Sequence, residues 1–190
     1  MQKSINLSQS MGLVALGTLA LLSVPFIAMQ FTTEVQWGPA DFLIMGALIF
    51  GTGMLLVLAL TLGKGKHLAH RAGMVIIIGA TFFMIWVNLA VGLIGAGPHA
   101  GNFLYLGVLA VLFVGVYRSN FSAARLEIAA IATAIAFMLV IAIALAAGMH
   151  RYPQSSVLEI VGVNIFMATP FLLAAGCFRY AAQREVTSSN

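Results

Sequence analysis

Six apolar stretches set the main constraint on what this chain can fold into. A helix needs about 20 apolar residues to cross a hydrocarbon core of about 30 Å. The fourth stretch is the shortest, so it must extend into its loop, stand upright or lie where the bilayer thins. The pattern predicts an all-α protein, a bundle of six transmembrane helices that forms a single membrane domain over residues 1–190. The stretches cover approximately residues 11–31, 40–62, 73–96, 102–117, 126–148 and 157–178.

The composition excludes a water-soluble domain. Hydrophobic residues make up 62% of the 190 residues and charged residues only 7%, whereas soluble domains carry about 25% charged residues. The single cysteine, Cys177, excludes an intrachain disulfide and a paired-cysteine metal or redox site. Its position near the end of the last apolar stretch is typical of a small hydrophobic residue.

The distribution of Lys and Arg predicts the orientation in the membrane. Short cytoplasmic loops hold the excess of positive charge, and on a six-pass path only Arg151 lies on the opposite side. Both termini are therefore expected in the cytoplasm. Four tyrosines fall at predicted helix ends, where an amphipathic ring prefers the headgroup layer: Tyr105, Tyr117, Tyr152 and Tyr180. The bases on the cytoplasmic side are Lys3, Lys64, Lys66, Arg71, Arg118, Arg125, Arg179 and Arg184.

The basic cluster from Lys64 to Arg71 favours lipid as a partner. Nine basic residues without a longer cluster form no stripe for nucleic acid, so no nucleic-acid partner is expected. A basic juxtamembrane cluster instead attracts anionic lipid headgroups. His67 and His70 have helical spacing for a metal, but the surrounding positive charge opposes cation binding.

Three carboxylates lie at predicted helix starts, where they offset the positive end of the helix dipole. They are Asp41, Glu127 and Glu159. Glu159 also completes the pattern Ser156-Val157-Leu158-Glu159, which is typical of a capping box. Helix capping therefore explains these acidic residues without a catalytic role.

A functional alternative uses polar residues on the predicted outer side. Imidazoles and carboxylates together can hold a divalent metal or relay protons. These residues come from separate loops without ligand spacing, so no metal site and no catalytic residue is predicted. The candidates for such a site are His99, His150, Asp41 and Glu159, with Glu34 nearby.

No resident cofactor is expected. Membrane haem proteins place histidines within their helices to reach the iron, and none of the four histidines lies deep in an apolar stretch. No lysine lies in one to form a retinal Schiff base. Haem and retinal are therefore not expected, whereas bound lipid is.

Asn88 and Asn164 are the polar residues expected deepest in the membrane. Both lie roughly 5 Å to the outer side of their segment midpoints, at about 1.5 Å rise per residue. Because an unpaired amide in hydrocarbon is costly, we expect them to hydrogen-bond each other or a shared water. Gly92 and Gly95 follow Asn88 at helical spacing and predict a small-residue packing face.

Pro25 and Pro170 fall within apolar stretches and mark candidate helix breaks. Each proline removes a hydrogen bond to the carbonyl four residues earlier. Broken helices at equivalent positions occur at transporter binding sites. Because proline is common in transmembrane helices, a simple kink is the favoured interpretation. Ser23 and Thr169 are expected to help satisfy the freed carbonyls.

The run from Phe83 to Gly95, together with Phe50-Gly51-Thr52-Gly53, resembles a group of small, uncharacterised bacterial integral membrane proteins. The likeness covers about residues 24–175. It implies a bacterial inner membrane and gives weight to the centre Trp86-Val87-Asn88, but it implies no activity.

Three functions remain open at this level. The first is a non-enzymatic membrane subunit or scaffold that packs with partner membrane proteins, lipid or pigment, or with further copies of itself. The second is a small transporter or channel with a polar path near Asn88 and Asn164. The third is a membrane enzyme that uses the outer-side histidines and carboxylates.

Overall fold

The computed structural model describes residues 7–63, 66–95, 97 and 99–187. Within these residues the chain forms long α-helices and two short 3₁₀ helices, without a strand. Six helices are long and apolar enough to span a membrane, which confirms an all-α, multi-pass integral membrane protein. The α-helices are α1 (Leu7–Phe31), α2 (Pro39–Leu62), α3 (Leu68–Ala90), α4 (Leu104–Ser119), α5 (Ala123–Ala146) and α6 (Val157–Thr187), and the 3₁₀ helices are Ala100–Phe103 and Met149–Arg151.

The third helix differs most from its predicted bounds. It begins at Leu68 and ends at Ala90, six residues before the predicted end at residue 96. Gly92, Gly95 and Gly97 adopt φ values of +79°, +70° and +78°, a left-handed backbone that glycine tolerates and a helix excludes. The predicted helical packing face of Asn88, Gly92 and Gly95 is therefore wrong, because these glycines form a turn.

The fourth helix is lengthened at its start, as its short apolar stretch required. The 3₁₀ helix Ala100–Phe103 runs directly into α4. The two together supply a 20-residue span, Ala100–Ser119. The extension into the loop therefore resolves the shortage of apolar residues.

The helices divide into two compact units, one with α1 and α2 and the other with α3 to α6. In the first unit, α1 and α2 form a hairpin. Leu22 packs at Gly46 and Val14 at Gly53. Phe26 and Phe42 meet edge to face at 6.4 Å between ring centroids.

In the second unit, α5 packs between α4 and α6, and α3 packs along the far side of α6. The short loops predict that consecutive helices are neighbours, yet the main helical partner of α3 is α6. We call the start of α3, the end of α4, the start of α5 and the end of α6 the basic end. The other end, with both 3₁₀ helices, we call the loop end.

Large side chains fill the interior of the second unit along most of its length. Phe178 lies near the basic end, Phe171 and Phe137 lie in contact further along, and Tyr105 packs on Phe137 toward the loop end. All four rings are almost completely buried. The described core of this unit is therefore apolar and closely packed, with few polar groups.

Candidate functional site

Asn164 is completely buried, and its partners are Tyr105 and its own helix. Its Oδ1 accepts a hydrogen bond of 3.2 Å from the Tyr105 hydroxyl on α4. Its Nδ2 donates to the Ile160 carbonyl at 2.8 Å. The amide therefore links α6 to α4 across the interior, as polar groups between transmembrane helices commonly do.

Asn88 lies in the last turn of α3 and is only partly buried. Its Nδ2 donates to the Asn102 carbonyl at 3.4 Å, and its buried Oδ1 has no hydrogen-bond partner within the described structure. The predicted direct hydrogen bond between Asn88 and Asn164 is thus wrong, because each amide has another partner. Because α3 ends at Ala90, Asn88 lies two residues from the end of its helix, whereas Asn164 lies seven residues inside α6.

Asn102 organises the glycine turn that follows α3. Its Oδ1 accepts hydrogen bonds from the amides of Leu93 and Ile94 at 2.8 and 2.9 Å. Its Nδ2 donates to the carbonyls of Ile94 and Gly97 at 3.3 and 3.2 Å. A Cβ on Gly92 would lie 2.7 Å from this Nδ2, so both the backbone angle and the available space require glycine there.

The two connections at the loop end contact each other. The rings of His99 and Tyr152 lie 4.0 Å apart between centroids, and Met149 packs against Gly101. His99 also caps its 3₁₀ helix, because its Nδ1 accepts from the Gly101 amide at 3.4 Å. His99 therefore holds the connections together.

His150 lies on the same 3₁₀ helix as Met149. Its Nδ1 is buried and has no hydrogen bond among the described residues, and the same is true of Ser155 Oγ. The topology therefore brings His99 and His150 to one end of the molecule, as the sequence predicts. No group of three or more His, Cys, Asp or Glu able to hold a metal occurs among the described residues.

The candidate carboxylates act as helix caps. Asp41 Oδ2 accepts from the Gly38 amide at 2.7 Å, at the start of α2. Glu159 Oε2 accepts from the Ser156 amide at 2.6 Å, and Ser156 Oγ accepts from the Glu159 amide at 3.1 Å. The capping box predicted at Ser156 is confirmed. These contacts satisfy backbone donors that a helix start leaves free.

Pro25 and Pro170 lie inside α1 and α6, and both helices continue through them. The prediction of helix breaks is therefore corrected: each proline costs a hydrogen bond but does not end the helix. The nearby hydroxyls bind other carbonyls than expected, since Ser23 donates to Ala20 and Thr169 to Ile165. Transmembrane helices tolerate proline because the surrounding structure supports them.

A cluster of aromatic rings faces outward from α3 and α6. Trp86 stacks with Phe82 at 6.4 Å and meets Phe83 edge to face at 6.0 Å. Phe83 in turn meets Phe166 at 6.3 Å. Trp86, Phe83 and Phe166 are exposed, so they present an aromatic surface on the outside of the second unit.

An open depression of about 360 Å³ lies at the connection between α1 and α2. Its lining is mainly backbone and uncharged side chains. Trp37 is fixed there by an edge-to-face contact with Phe42 at 5.3 Å. The depression is therefore a concave surface without an evident catalytic group. The lining residues are Met29, Thr32, Thr33, Val35, Gln36, Trp37 and Gly38.

At the basic end, His67 and His70 make structural contacts. His67 Nδ1 accepts from the Ala69 amide at 3.1 Å, and its ring meets Tyr180 at 5.4 Å. His70 is buried against the ring of Phe178 at 5.6 Å. Its Nδ1 has no hydrogen-bond partner in the described structure.

Sequence reasoning missed Tyr105 and Asn102. The prediction of a headgroup position for Tyr105 is wrong, because the 3₁₀ helix places its ring inside the unit. Asn102 follows a glycine-rich segment, where an amide with two acceptor and two donor positions suits a tight turn. The glycine-rich segment before Asn102 is visible in the sequence. Which backbone amides and carbonyls bind the Asn102 side chain is visible only in the structure.

No protein-family model, curated protein or solved structure matches this chain. The resemblance to uncharacterised bacterial membrane proteins therefore stays a prediction.

Proposed function

We propose that the protein is a non-enzymatic integral membrane subunit or scaffold that packs with partner membrane proteins, lipid or pigment. The observation that carries the proposal is the closed interior of the second unit. Phe137 and Phe171 fill the middle of this interior, and Tyr105 and Asn164 fill the part toward the loop end. An interior occupied by large, buried rings leaves the outer surface as the place for partners.

A transport path along Asn88 and Asn164 has less support. Asn164 is buried and uses both of its amide atoms within the protein. Asn88 lies at the loop end beside Asn102. A solute that passed both residues would have to separate Tyr105 from Asn164 and displace the packed rings, so a packing role accounts better for these contacts.

An enzyme that uses the outer-side residues also has less support. Asp41, Glu159 and His99 each accept a backbone amide as helix caps. Each capping contact occupies one acceptor of the side chain and accounts for its position at a helix start. Their arrangement therefore favours structure over catalysis.

The hairpin supplies the largest surface for a partner. Only 6% of the residues in the most apolar part of α1 and of α2 are buried, against 39% in α5. Gly12, Gly17 and Gly51 have open space where a Cβ would stand. Small residues on a transmembrane helix permit close approach of another helix, so this surface suits protein as well as lipid.

The proposal is tested by photo-crosslinking from single positions in native membranes. A photoreactive side chain replaces Leu19 on α1 or Phe166 in the aromatic surface, both of which are exposed. Ile135, exposed on α5, provides the control position. We expect discrete protein or pigment adducts from Leu19 or Phe166 and only lipid adducts from Ile135.

The same preparation separates the alternatives. Native mass spectrometry and an absorption spectrum of the gently purified protein identify copies, partners and pigment together. Lipid adducts alone at all three positions, with solute flux in proteoliposomes that Asn164→Leu abolishes, would replace the subunit proposal by the transporter.

Localisation in a bacterial inner membrane with both termini cytoplasmic forms part of the proposal. Its support is the excess of Lys and Arg on one side of the six spans. In a Cys177→Ala background, Pro153→Cys should react with an impermeant maleimide applied to intact spheroplasts. Thr187→Cys should react only after lysis, and the reverse pattern would invert the orientation.

A further inference from the structure

The basic end of the second unit contains a polar cluster that ties the start of α3 to the end of α6. Lys66 Nζ lies 3.1 Å from Glu185 Oε1, and the rings of His67 and Tyr180 lie 5.4 Å apart. Both contacts join residues more than 110 positions apart in the chain. They give this end a defined geometry at the level where the apolar spans stop.

Arg184 is oriented by Tyr180, one turn earlier on α6. Its Nε and Nη2 both donate to the Tyr180 hydroxyl, at 3.1 and 2.8 Å. Its Cζ lies 5.2 Å from the centre of the same ring. Because the hydroxyl and the ring are neutral, these contacts fix the guanidinium without cancelling its charge.

Arg71 lies in the first turn of α3. It shares a face of α3 with His67, four residues earlier, and long helical side chains lean toward the helix start. Its Nε is buried and has no hydrogen bond in the described structure, an unsatisfied donor at the guanidinium that a polar ligand would pair. No carboxylate forms a salt bridge with Arg71 within the described residues.

We propose that Arg71 and Arg184 form a headgroup site for an anionic phospholipid, between the start of α3 and the end of α6. Guanidinium groups match phosphate oxygens in shape and charge. The ends of membrane spans lie at the depth of lipid phosphates, and basic pockets between transmembrane helices bind such headgroups.

Lys66 has a different role in this site. Its ammonium group is paired with Glu185, so it contributes position more than free charge. Tyr180 likewise positions Arg184 through its hydroxyl. The site thus has two phosphate ligands and two positioning residues. This headgroup site goes beyond the packing role proposed above. If lipid binding at the two arginines is disproved, the packing role is unaffected.

The test measures lipid retained by the full-length protein. The protein is purified from nanodiscs of phosphatidylcholine with 20% phosphatidylglycerol, and native mass spectrometry counts the bound phosphatidylglycerol. We expect Arg71→Gln and Arg184→Gln each to lower its retention about fivefold relative to phosphatidylcholine. Arg118→Gln, at the exposed end of α4, removes the same charge and should leave retention unchanged.

Tyr180→Phe supplies a variant that keeps every charge. It removes the hydroxyl that holds Arg184, so a smaller loss of phosphatidylglycerol is expected than for Arg184→Gln. Thermal unfolding in pure phosphatidylcholine nanodiscs checks that each variant is folded, and wild-type protein should gain thermal stability from phosphatidylglycerol through these arginines.

Two results would overturn the proposal. One is equal phosphatidylglycerol retention by wild type, Arg71→Gln, Arg184→Gln and Arg118→Gln. The other is stabilisation of the wild type by inorganic phosphate in pure phosphatidylcholine nanodiscs, with no further effect of phosphatidylglycerol, which would assign the arginines to a soluble anion.

Discussion

The hairpin of α1 and α2 and the unit of α3 to α6 have the same apolar character but different interiors. In the hairpin, the contacts at Gly46 and Gly53 and the Phe26–Phe42 pair leave most side chains exposed. In the larger unit, rings such as Phe137, Phe171 and Phe178 are almost completely buried. Every one of the largest fully buried side chains of the described residues belongs to this unit.

This difference follows from what drives helix association in lipid. Because the surrounding lipid is as apolar as the side chains, helices associate through close packing and interhelical hydrogen bonds. The larger unit has both, in its ring contacts and in the bond from Tyr105 to Asn164. The hairpin has few of either, and little of its helix surface is buried.

The largest expected effect comes from removing a ring from the core of the larger unit. Phe171→Ala should lower the free energy of unfolding by about 3–5 kcal/mol, because it leaves a cavity beside Phe137. Phe26→Ala, in the exposed ring pair of the hairpin, should cost less than about 1 kcal/mol. Thermal unfolding in a fixed detergent, followed by circular dichroism, compares the two. Equal losses of unfolding free energy in the two variants would contradict the difference in packing between the two units.

The turn that Asn102 holds at the loop end should give the next largest effect. Asn102→Ala removes an acceptor from the amides of Leu93 and Ile94 and should cost about 2–3 kcal/mol. Thr32→Ala, which removes a single exposed acceptor from the hairpin connection, should cost about 0.5 kcal/mol or less. Hydrogen exchange at residues 91–97 measures the local effect. Unchanged exchange there would contradict the role of Asn102.

Glycine substitutions test the same difference between the two units, with a smaller expected change in the free energy of unfolding. A Cβ on Gly73 would lie 2.8 Å from the ring of the buried Phe178, so Gly73→Ala should cost about 1–3 kcal/mol. Gly17 on α1 has open space around it, so Gly17→Ala should be neutral or stabilising by up to about 1 kcal/mol. The midpoint of thermal unfolding distinguishes them, and destabilisation by Gly17→Ala would indicate a tight contact on the hairpin surface.

The smallest expected effect concerns the interior hydrogen bond. Tyr105→Phe leaves Asn164 Oδ1 without its partner and should cost about 1 kcal/mol, near the upper part of the range for membrane helices. Tyr117→Phe, on the exposed side of the same helix, is the matched control and should have no effect. A double-mutant cycle of Tyr105→Phe with Asn164→Leu isolates the coupling. A coupling free energy of zero would mean that side-chain packing, and not this hydrogen bond, stabilises the contact between α4 and α6.

The sequence predicted much of the local structure because its signals are local. Apolar length placed the six helices, and the Ser156-x-x-Glu159 pattern predicted a capping box that the structure confirms. The end of α3 was misplaced because Gly92 and Gly95 suit either a close helix face or a left-handed turn, and only their φ values decide between them.

The candidate site was harder to predict because it depends on partners distant in the chain. The sequence indicates that Asn164 is a deep amide, but it predicts a position in the headgroup layer for Tyr105, the hydrogen-bond partner of Asn164. Asn88 was assigned a partner on another helix, whereas its contact is with Asn102 in the adjacent connection. Composition and spacing do not specify which of several polar groups meet.

By itself, the sequence determined that this is a multi-pass helical membrane protein, since 62% hydrophobic and 7% charged residues leave no soluble alternative. The tertiary structure decided which helices share a packed interior and which amide meets which hydroxyl. The physical reason is that lipid makes every apolar face acceptable. Only the fit between faces then selects the neighbours of a helix.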